Sequence, residues 1–286
     1  MRMPSIGLVL SGGMAKGAYQ IGALQAINEI FKPADFSFIS AASVGVLNTY
    51  AYLTHGLNKG VELWNSVNKN NYRSWIFTFL KGCFVQNAIK TIISDTKIKN
   101  TFYIPLVNLK KRVLMYADLG KIPAENIESY LRASVALPIY NPGVSINGEC
   151  LYDGAVIDNI PVQPMLKHKI DYIVCIYFDD YNYTFENKYL DNKIIKINFT
   201  DNKIISNSIC FESDSIKYMI DEGYSKAKRV LDYVLIKGID DVDSVYSGIE
   251  SLNAMNTNKN IRISGDIIVN NMNKITKKLM KRTEIF

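Results

Sequence analysis

The chain has 286 residues, of which 48% are hydrophobic and 21% are charged, and its formal net charge is +6. This length and composition are ordinary for a globular protein of one or two domains. No apolar run approaches the roughly 18 residues of a membrane-spanning helix, and no signal peptide is visible. The basic excess suits an anionic surface, either a membrane or a nucleic acid. The four cysteines are widely spaced, which predicts neither a disulfide framework nor a zinc site and favours a reducing, cytoplasmic setting.

A glycine-rich turn follows the first predicted strand, residues 6–10, and precedes a predicted helix at 18–31. It reads Ser11-Gly12-Gly13-Met14-Ala15-Lys16-Gly17. Backbone N–H groups converge in such a turn, and the helix dipole adds positive potential, so the turn suits an anion. It is not a P-loop, because Ala18 follows Gly17, and Met14 occupies the middle glycine position of a dinucleotide-binding fingerprint. An oxyanion hole and a plain glycine-rich turn remain as alternatives.

The second motif is a small-residue turn between an apolar run and a predicted helix that extends to about residue 53. It reads Ala41-Ala42-Ser43-Val44-Gly45. This is the pattern of a nucleophile elbow, G-x-S-x-G, with alanine in the first glycine position. The alternative is a serine at an ordinary strand-to-helix turn.

Asp153 begins a third motif, Asp153-Gly154-Ala155, directly after a predicted hairpin at 145–152 with an Asn147-Gly148 turn. Taken alone, an Asp-Gly pair at a strand end favours a structural turn. Further strands are predicted at 112–117, 172–178 and 194–199, and further helices at 123–133, 213–235 and 240–252. The alternation of strands and helices predicts a layered α/β fold, in which these three strand ends meet at one edge of the sheet.

The two histidines do not suggest a Ser-His-Asp triad. His55 lies beyond the predicted elbow helix, and His168 stands between two lysines. Both are predicted to be surface residues. A dyad without histidine is what this composition allows.

Two segments have alternative interpretations. The aromatic residues of 64–84 predict either a helix packed on the core or a lid that contacts a membrane. The tail at 268–282 has an apolar face and five basic residues, which suits either a helix docked on the domain or one lying on an anionic membrane.

Four motifs resemble, in order and spacing, those of the patatin-like phospholipase family. They are residues 10–19, 41–45, 133–138, and 153–155 with Asn159 and Pro161. The resemblance implies a three-layer α/β/α sandwich with a central, mostly parallel sheet and C-terminal helices. We accordingly expect an acyl hydrolase domain at residues 1–235 and a helical C-terminal extension at 236–286, packed on that domain or on a membrane.

The resemblance also implies an oxyanion hole. Backbone N–H groups around Gly12, Gly13 and Met14 would form it, and Lys16 matches the Arg or Lys of the family's loop. The sequence departs from the family at two positions that are usually glycine, Met14 and Ala41.

The function implied by the resemblance is that of a lipid acyl hydrolase of phospholipase A or lysophospholipase type. Ser43 would be the nucleophile of a Ser–Asp dyad, Asp153 its base, and an acyl-enzyme the intermediate, without a metal or cofactor. The expected partners are a phospholipid or another acyl lipid and a peripheral membrane surface, not a nucleic acid; the sequence does not indicate an oligomeric state. The alternatives are a catalytically silent lipid-binding or regulatory protein of the same fold, and a soluble carboxylesterase or thioesterase.

Overall fold

The computed structural model describes residues 3–66, 83–138, 140–178, 188–199, 213–257 and 282–285. Within these ranges the strands are β1 (Ile6–Leu10), β2 (Phe36–Ala41), β3 (Thr101–Asn108), β4 (Val113–Asp118), β5 (Val144–Ile146), β6 (Glu149–Asp153), β7 (Tyr172–Tyr177), β8 (Ile194–Asn198) and β9 (Arg282–Ile285). The α-helices are α1 (Gly17–Ile30), α2 (Val44–His55), α3 (Leu57–Ser66), α4 (Cys83–Ile92), α5 (Ala124–Ala133), α6 (Lys188–Asp191), α7 (Ser213–Val234) and α8 (Val242–Thr257). Short 3₁₀ helices lie at Met14–Lys16, Pro33–Asp35, Gly154–Val156 and Gln163–Lys167.

The strands form one mixed sheet whose central part is parallel. Its order is β5-β6-β3-β2-β1-β7-β8, with β4 paired to β3 and to β9. The five strands from β3 to β8 in this order run parallel to one another. Both β4 and β6 run antiparallel to β3. The predicted mostly parallel central sheet is confirmed.

Alternate residues of β1 point into two different cores. Leu8 and Leu10 belong to the main core with α1, α2 and α7, whereas Val9 packs on the opposite face with Met165 and Ile173. All five residues of β1 are buried because both faces of the strand are covered, and its continuous apolar run reflects this. The three-layer α/β/α architecture is therefore also confirmed, and the 3₁₀ helix Gln163–Lys167 contributes to the second layer.

Strand β3 was not predicted from the sequence. Its apolar run contains Pro105, which normally argues against an interior strand. The structure shows why proline is tolerated here. The N–H of Phe102 points towards β4, where it donates to Asp118 Oδ1 at 3.0 Å. Because successive residues alternate, the nitrogen of Pro105 points to the other side, where neither β2 nor β6 pairs with residues 104 and 105.

This interval in β3 positions the candidate site. On that side of β3, β2 pairs with the first part, up to Ser40 opposite Tyr103. The antiparallel β6 pairs with the last part, with Asp153 opposite Leu106. The two strands thus approach each other end to end along β3. Residues 104 and 105 lie between their last paired positions, which are about 10 Å apart. The turn that follows β2 therefore lies close to Asp153, the last residue of β6.

The C-terminal part of the described chain packs on this sheet through α7 and α8. Helix α7 crosses α1 so closely that a Cβ on Gly22 would lie 1.9 Å from the carbonyl oxygen of Ile220. In α8, Val245 and Ile249 are buried in the main core. The tail predicted as a basic helix lies outside the described residues except for Arg282, which begins β9. The division of the chain at residue 235 stays a prediction.

Trp64, at the start of the predicted aromatic segment, is buried in the main core. The residues of that segment from 67 to 82 lie outside the described part of the chain. Among the described residues, no helix is both long enough and apolar enough to span a bilayer.

Candidate active site

Ser43 lies in a sharp turn between β2 and α2. Its backbone has φ 51° and ψ −127°, a region that a residue with a side chain rarely occupies and that costs about 1–3 kcal/mol. The surroundings enforce it: the N–H of Ala42 donates to the Leu10 carbonyl at 3.0 Å, and that of Gly45 to the Ala42 carbonyl at 2.9 Å. A Cβ on Gly45 would lie 2.7 Å from the backbone oxygen of Ser11, so glycine lets α2 begin this close to β1. This is the geometry of a nucleophile elbow.

Ala41 stands in the first glycine position of the elbow pattern. It is the last residue of β2, it is fully buried, and it pairs with Leu10 of β1. Its methyl group therefore packs in the core before the turn begins, which explains how the departure is accommodated.

Asp153, the last residue of β6, is fully buried. Its Oδ1 accepts a hydrogen bond from the Ala155 N–H at 2.8 Å, whereas Oδ2 is buried and has no hydrogen-bond partner in the described part of the chain. Burial raises the pKa of Asp153 to about 7, and the interactions with the Ser43 hydroxyl and the Ala155 N–H partly oppose that rise. The structure thus brings Ser43 and Asp153 together. A carboxyl group that titrates near neutral pH is suited to act as a general base.

Gly12 lies directly against Ser43. A Cβ on Gly12 would be 3.0 Å from the Cβ of Ser43 and 2.4 Å from Asn159 Oδ1. The N–H of Gly12 donates to the Asn159 carbonyl at 3.1 Å, and Asn159 Nδ2 donates to the Gly12 carbonyl at 3.3 Å. In this structure Gly12 therefore contributes space beside Ser43, and its N–H is engaged within the protein.

The N–H groups of Gly13 and Met14 have no hydrogen-bond partner among the described residues. Met14 has φ 50°, a left-handed conformation that glycine adopts at less cost, which explains the glycine usual at this position. A Cβ on Gly13 would lie 2.4 Å from the ring of Phe178. The Nζ of Lys16 lies 5.9 Å from the centroid of the same ring. The loop thus presents two N–H groups that have no partner among the described residues, and they lie beside the ring of Phe178.

Two helices begin at this loop and elbow. Helix α1 starts at Gly17 and α2 at Val44, immediately after Ser43. The N-terminus of a helix carries partial positive charge, which favours negative charge nearby. A hydroxyl, a buried carboxyl and unoccupied backbone donors at helix N-termini are the parts that an acyl transfer reaction needs.

The histidines have other contacts. His55 is exposed, and its Nε2 lies 2.7 Å from the Ile92 carbonyl. His168 was predicted to be a surface residue, but it is half-buried, stacks on Phe38 and lies 3.0 Å from the Tyr103 hydroxyl. The contacts of His168 with Phe38 and Tyr103 are tertiary contacts, so they could not be predicted from the lysines on either side of it in the sequence.

Among the described residues, no group of three or more His, Cys, Asp and Glu side chains could hold a metal ion. Cys150 and Cys175 are free thiols.

Three candidate residues of the site have no predicted role in the sequence. Asn159 was quoted as part of a motif without a role, and its contacts with Gly12 now give it one. No role was predicted for Asn48 or Gln20. Both are polar residues within largely apolar helix sequences, which is the signal that could have identified them.

The chain also matches a known protein family. The family model described as patatin-like phospholipase matches residues 8–166. The lysophospholipase NTE1 of Cryptococcus neoformans var. neoformans serotype D is 28% identical over 189 aligned residues, and the match covers 60% of this chain and 11% of that protein. The lysophospholipase NTE1 of Saccharomyces cerevisiae is 26% identical over 174 residues, covering 56% of this chain and 10% of that protein. The chain thus spans about a tenth of the length of these relatives.

Two solved structures are also similar. VipD from Legionella pneumophila has a TM-score of 0.49 and 12% sequence identity, covering 81% of this chain and 67% of that one. The type III effector protein ExoU also has a TM-score of 0.49 and 12% identity, covering 88% of this chain and 61% of that one.

Proposed function

Because the chain belongs to the patatin-like phospholipase family, we propose that it is a lipid acyl hydrolase that uses a Ser43–Asp153 dyad. One observation carries the proposal: a serine in a strained elbow lies within hydrogen-bonding range of a fully buried aspartate, and this interaction opposes the rise in the pKa of the aspartate. An acceptor in that state is suited to take the proton of the serine hydroxyl. The names of the lysophospholipase relatives support an acyl ester of a phospholipid or lysophospholipid as the substrate.

In the first half of the proposed reaction, Ser43 Oγ attacks the carbonyl carbon of the ester and its proton passes to Asp153. The negative charge that develops on the carbonyl oxygen is stabilised by the N–H groups of Gly13 and Met14 and by the N-terminus of α2. The bond to the alcohol then breaks, and the alcohol leaves with the proton from Asp153. An acyl ester of Ser43 and a carboxylate at Asp153 remain.

In the second half, a water molecule gives a proton to Asp153 and attacks the acyl carbonyl carbon. The same donors stabilise the second oxyanion. The bond to Ser43 Oγ breaks, Oγ takes the proton back from Asp153, and the fatty acid is released. Asp153 is therefore a base in the first step of each half and an acid in the second, a task that a pKa of about 7 fits.

The test is release of fatty acid from vesicles that contain phosphatidylcholine and lysophosphatidylcholine. Ser43→Ala and Asp153→Asn are each expected to reduce release to the background rate, while the circular dichroism spectrum stays that of the wild type. Labelling by a fluorescent fluorophosphonate supplies a second measurement, since it requires a reactive Ser43. Wild-type turnover in both variants would contradict the dyad.

The proposal includes a peripheral membrane location on the cytoplasmic side. The net charge of +6 supports attraction to an anionic bilayer, and the free thiols of Cys150 and Cys175 support a reducing compartment. Sedimentation with vesicles of phosphatidylserine and phosphatidylcholine, at low and high salt, measures this binding. A soluble esterase would hydrolyse short-chain esters without any gain from vesicles, and a catalytically silent protein would bind vesicles without labelling at Ser43.

A further inference from the structure

Two buried side-chain amides join the glycine-rich loop to the helix that follows Ser43. Gln20, on α1, and Asn48, on α2, are 0% and 1% exposed. Asn48 Nδ2 donates to Gln20 Oε1 at 2.9 Å and also to the Gly17 carbonyl at 2.9 Å. Gln20 Nε2 donates to the Ser11 carbonyl at 2.7 Å. Ser11 and Gly17 are the first and last residues of the loop, so the amide pair holds both of its ends.

A third hydrogen bond, from Trp64, fixes the orientation of the Asn48 side chain. Its Oδ1 accepts a hydrogen bond from Trp64 Nε1 at 2.9 Å, and Trp64 on α3 is buried. The oxygen of Asn48 is thus directed towards α3 and the nitrogen towards the loop. Because Asn48 lies five residues after Ser43 on the same helix, it can transmit the position of the nucleophile to the loop.

We propose that Asn48 and Gln20 are positioning residues, whose paired amides fix the open N–H groups of the loop relative to Ser43. The inference rests on the proposed function, since it assigns the loop its oxyanion role. Hydrogen bonds in a buried, low-dielectric setting are strong and directional, and an interrupted pair leaves carbonyl groups unsatisfied. Donors that stabilise an oxyanion lose much of their effect when displaced by about 1 Å, which can cost about 100-fold in rate.

The test uses the rate constant for labelling of Ser43 by a fluorescent fluorophosphonate. In that reaction Ser43 Oγ bonds to phosphorus, fluoride leaves, the proton passes to Asp153, and the phosphonyl oxygen uses the oxyanion donors. Asn48→Leu is similar in size but removes the hydrogen bonds to the Gly17 carbonyl and to Gln20 Oε1. We expect it to lower the labelling rate constant about 10- to 100-fold. With p-nitrophenyl butyrate as substrate, we expect kcat to fall and KM to change less than threefold.

Gln20→Met is the second variant, because it keeps the length of the side chain and removes only the bridge between Ser11 and Asn48. It is expected to lower the labelling rate in the same way, and it decides the matter if Asn48→Leu does not fold. The double variant is expected to be no slower than the slower single variant, because the two amides act as one unit.

The matched control is Tyr52→Phe. The Tyr52 hydroxyl donates to Asn28 Oδ1 at 2.9 Å and joins the same two helices further from the loop. Its loss is expected to leave labelling within twofold of the wild type. Folded Asn48→Leu or Gln20→Met protein that is labelled at the wild-type rate would overturn the positioning role. If the wild type itself is not labelled, the proposed function fails instead, so the two failures are distinguishable.

Discussion

Replacing Asp153 by asparagine should stabilise the folded protein, by an amount that grows with pH. In the unfolded chain the carboxyl group titrates near 3.9, whereas burial raises its pKa to about 7 in the folded protein. Between these values the unfolded state loses the proton first, so the free energy of unfolding falls as pH rises. A difference of about three pKa units, at 1.36 kcal/mol each, gives a penalty of about 4 kcal/mol above pH 7. Asparagine avoids this penalty because it stays neutral.

Urea unfolding of Asp153→Asn and the wild type at pH 4 and at pH 8 measures this effect. The two proteins should have similar stability at pH 4, and the variant should be more stable by about 4 kcal/mol at pH 8. The control is Asp95→Asn, which makes the same substitution at an exposed carboxylate. A variant that is no more stable than the wild type at pH 8 would refute the claim that the site holds a desolvated carboxylate.

Three further predictions concern the same site. First, kcat/KM should rise with pH through an inflection near 7, because Asp153 must be ionised to accept the serine proton; an inflection near 4 in a pH–rate profile would contradict this. Second, Ser43→Gly should be more stable than Ser43→Ala by about 1 kcal/mol in urea unfolding, since only glycine relieves the positive φ, and equal stability would mean that the elbow is not strained. Third, Gly12→Ala should lower fluorophosphonate labelling at least about 10-fold, because its Cβ would meet Asn159 Oδ1 at 2.4 Å; wild-type labelling would show that the loop can yield at no cost.

Several features of this protein could be predicted from local patterns. The apolar run at β1, the Asn147-Gly148 hairpin turn and the amphipathic spacing of α7 each depend on neighbouring residues, and the structure has them at the predicted places. The strand β3 was missed for the opposite reason. Pro105 argues against a strand unless it is known that no neighbouring strand pairs with it on that side, and only the arrangement of β2 and β6 provides that knowledge.

The sequence by itself determined which residues are candidates for the chemistry, because the serine in a small-residue turn, the aspartate at a strand end and the glycine-rich loop each belong to a short motif. Only the tertiary structure decided the pKa of the aspartate and the hydrogen-bond partners of the loop. The pKa of Asp153 depends on burial by segments far away in the chain, and the N–H of Gly12 is engaged by Asn159, 147 residues later. The same holds for the amides of Asn48 and Gln20. Desolvation and hydrogen-bond pairing are properties of the packed environment, and no motif of a few residues contains them.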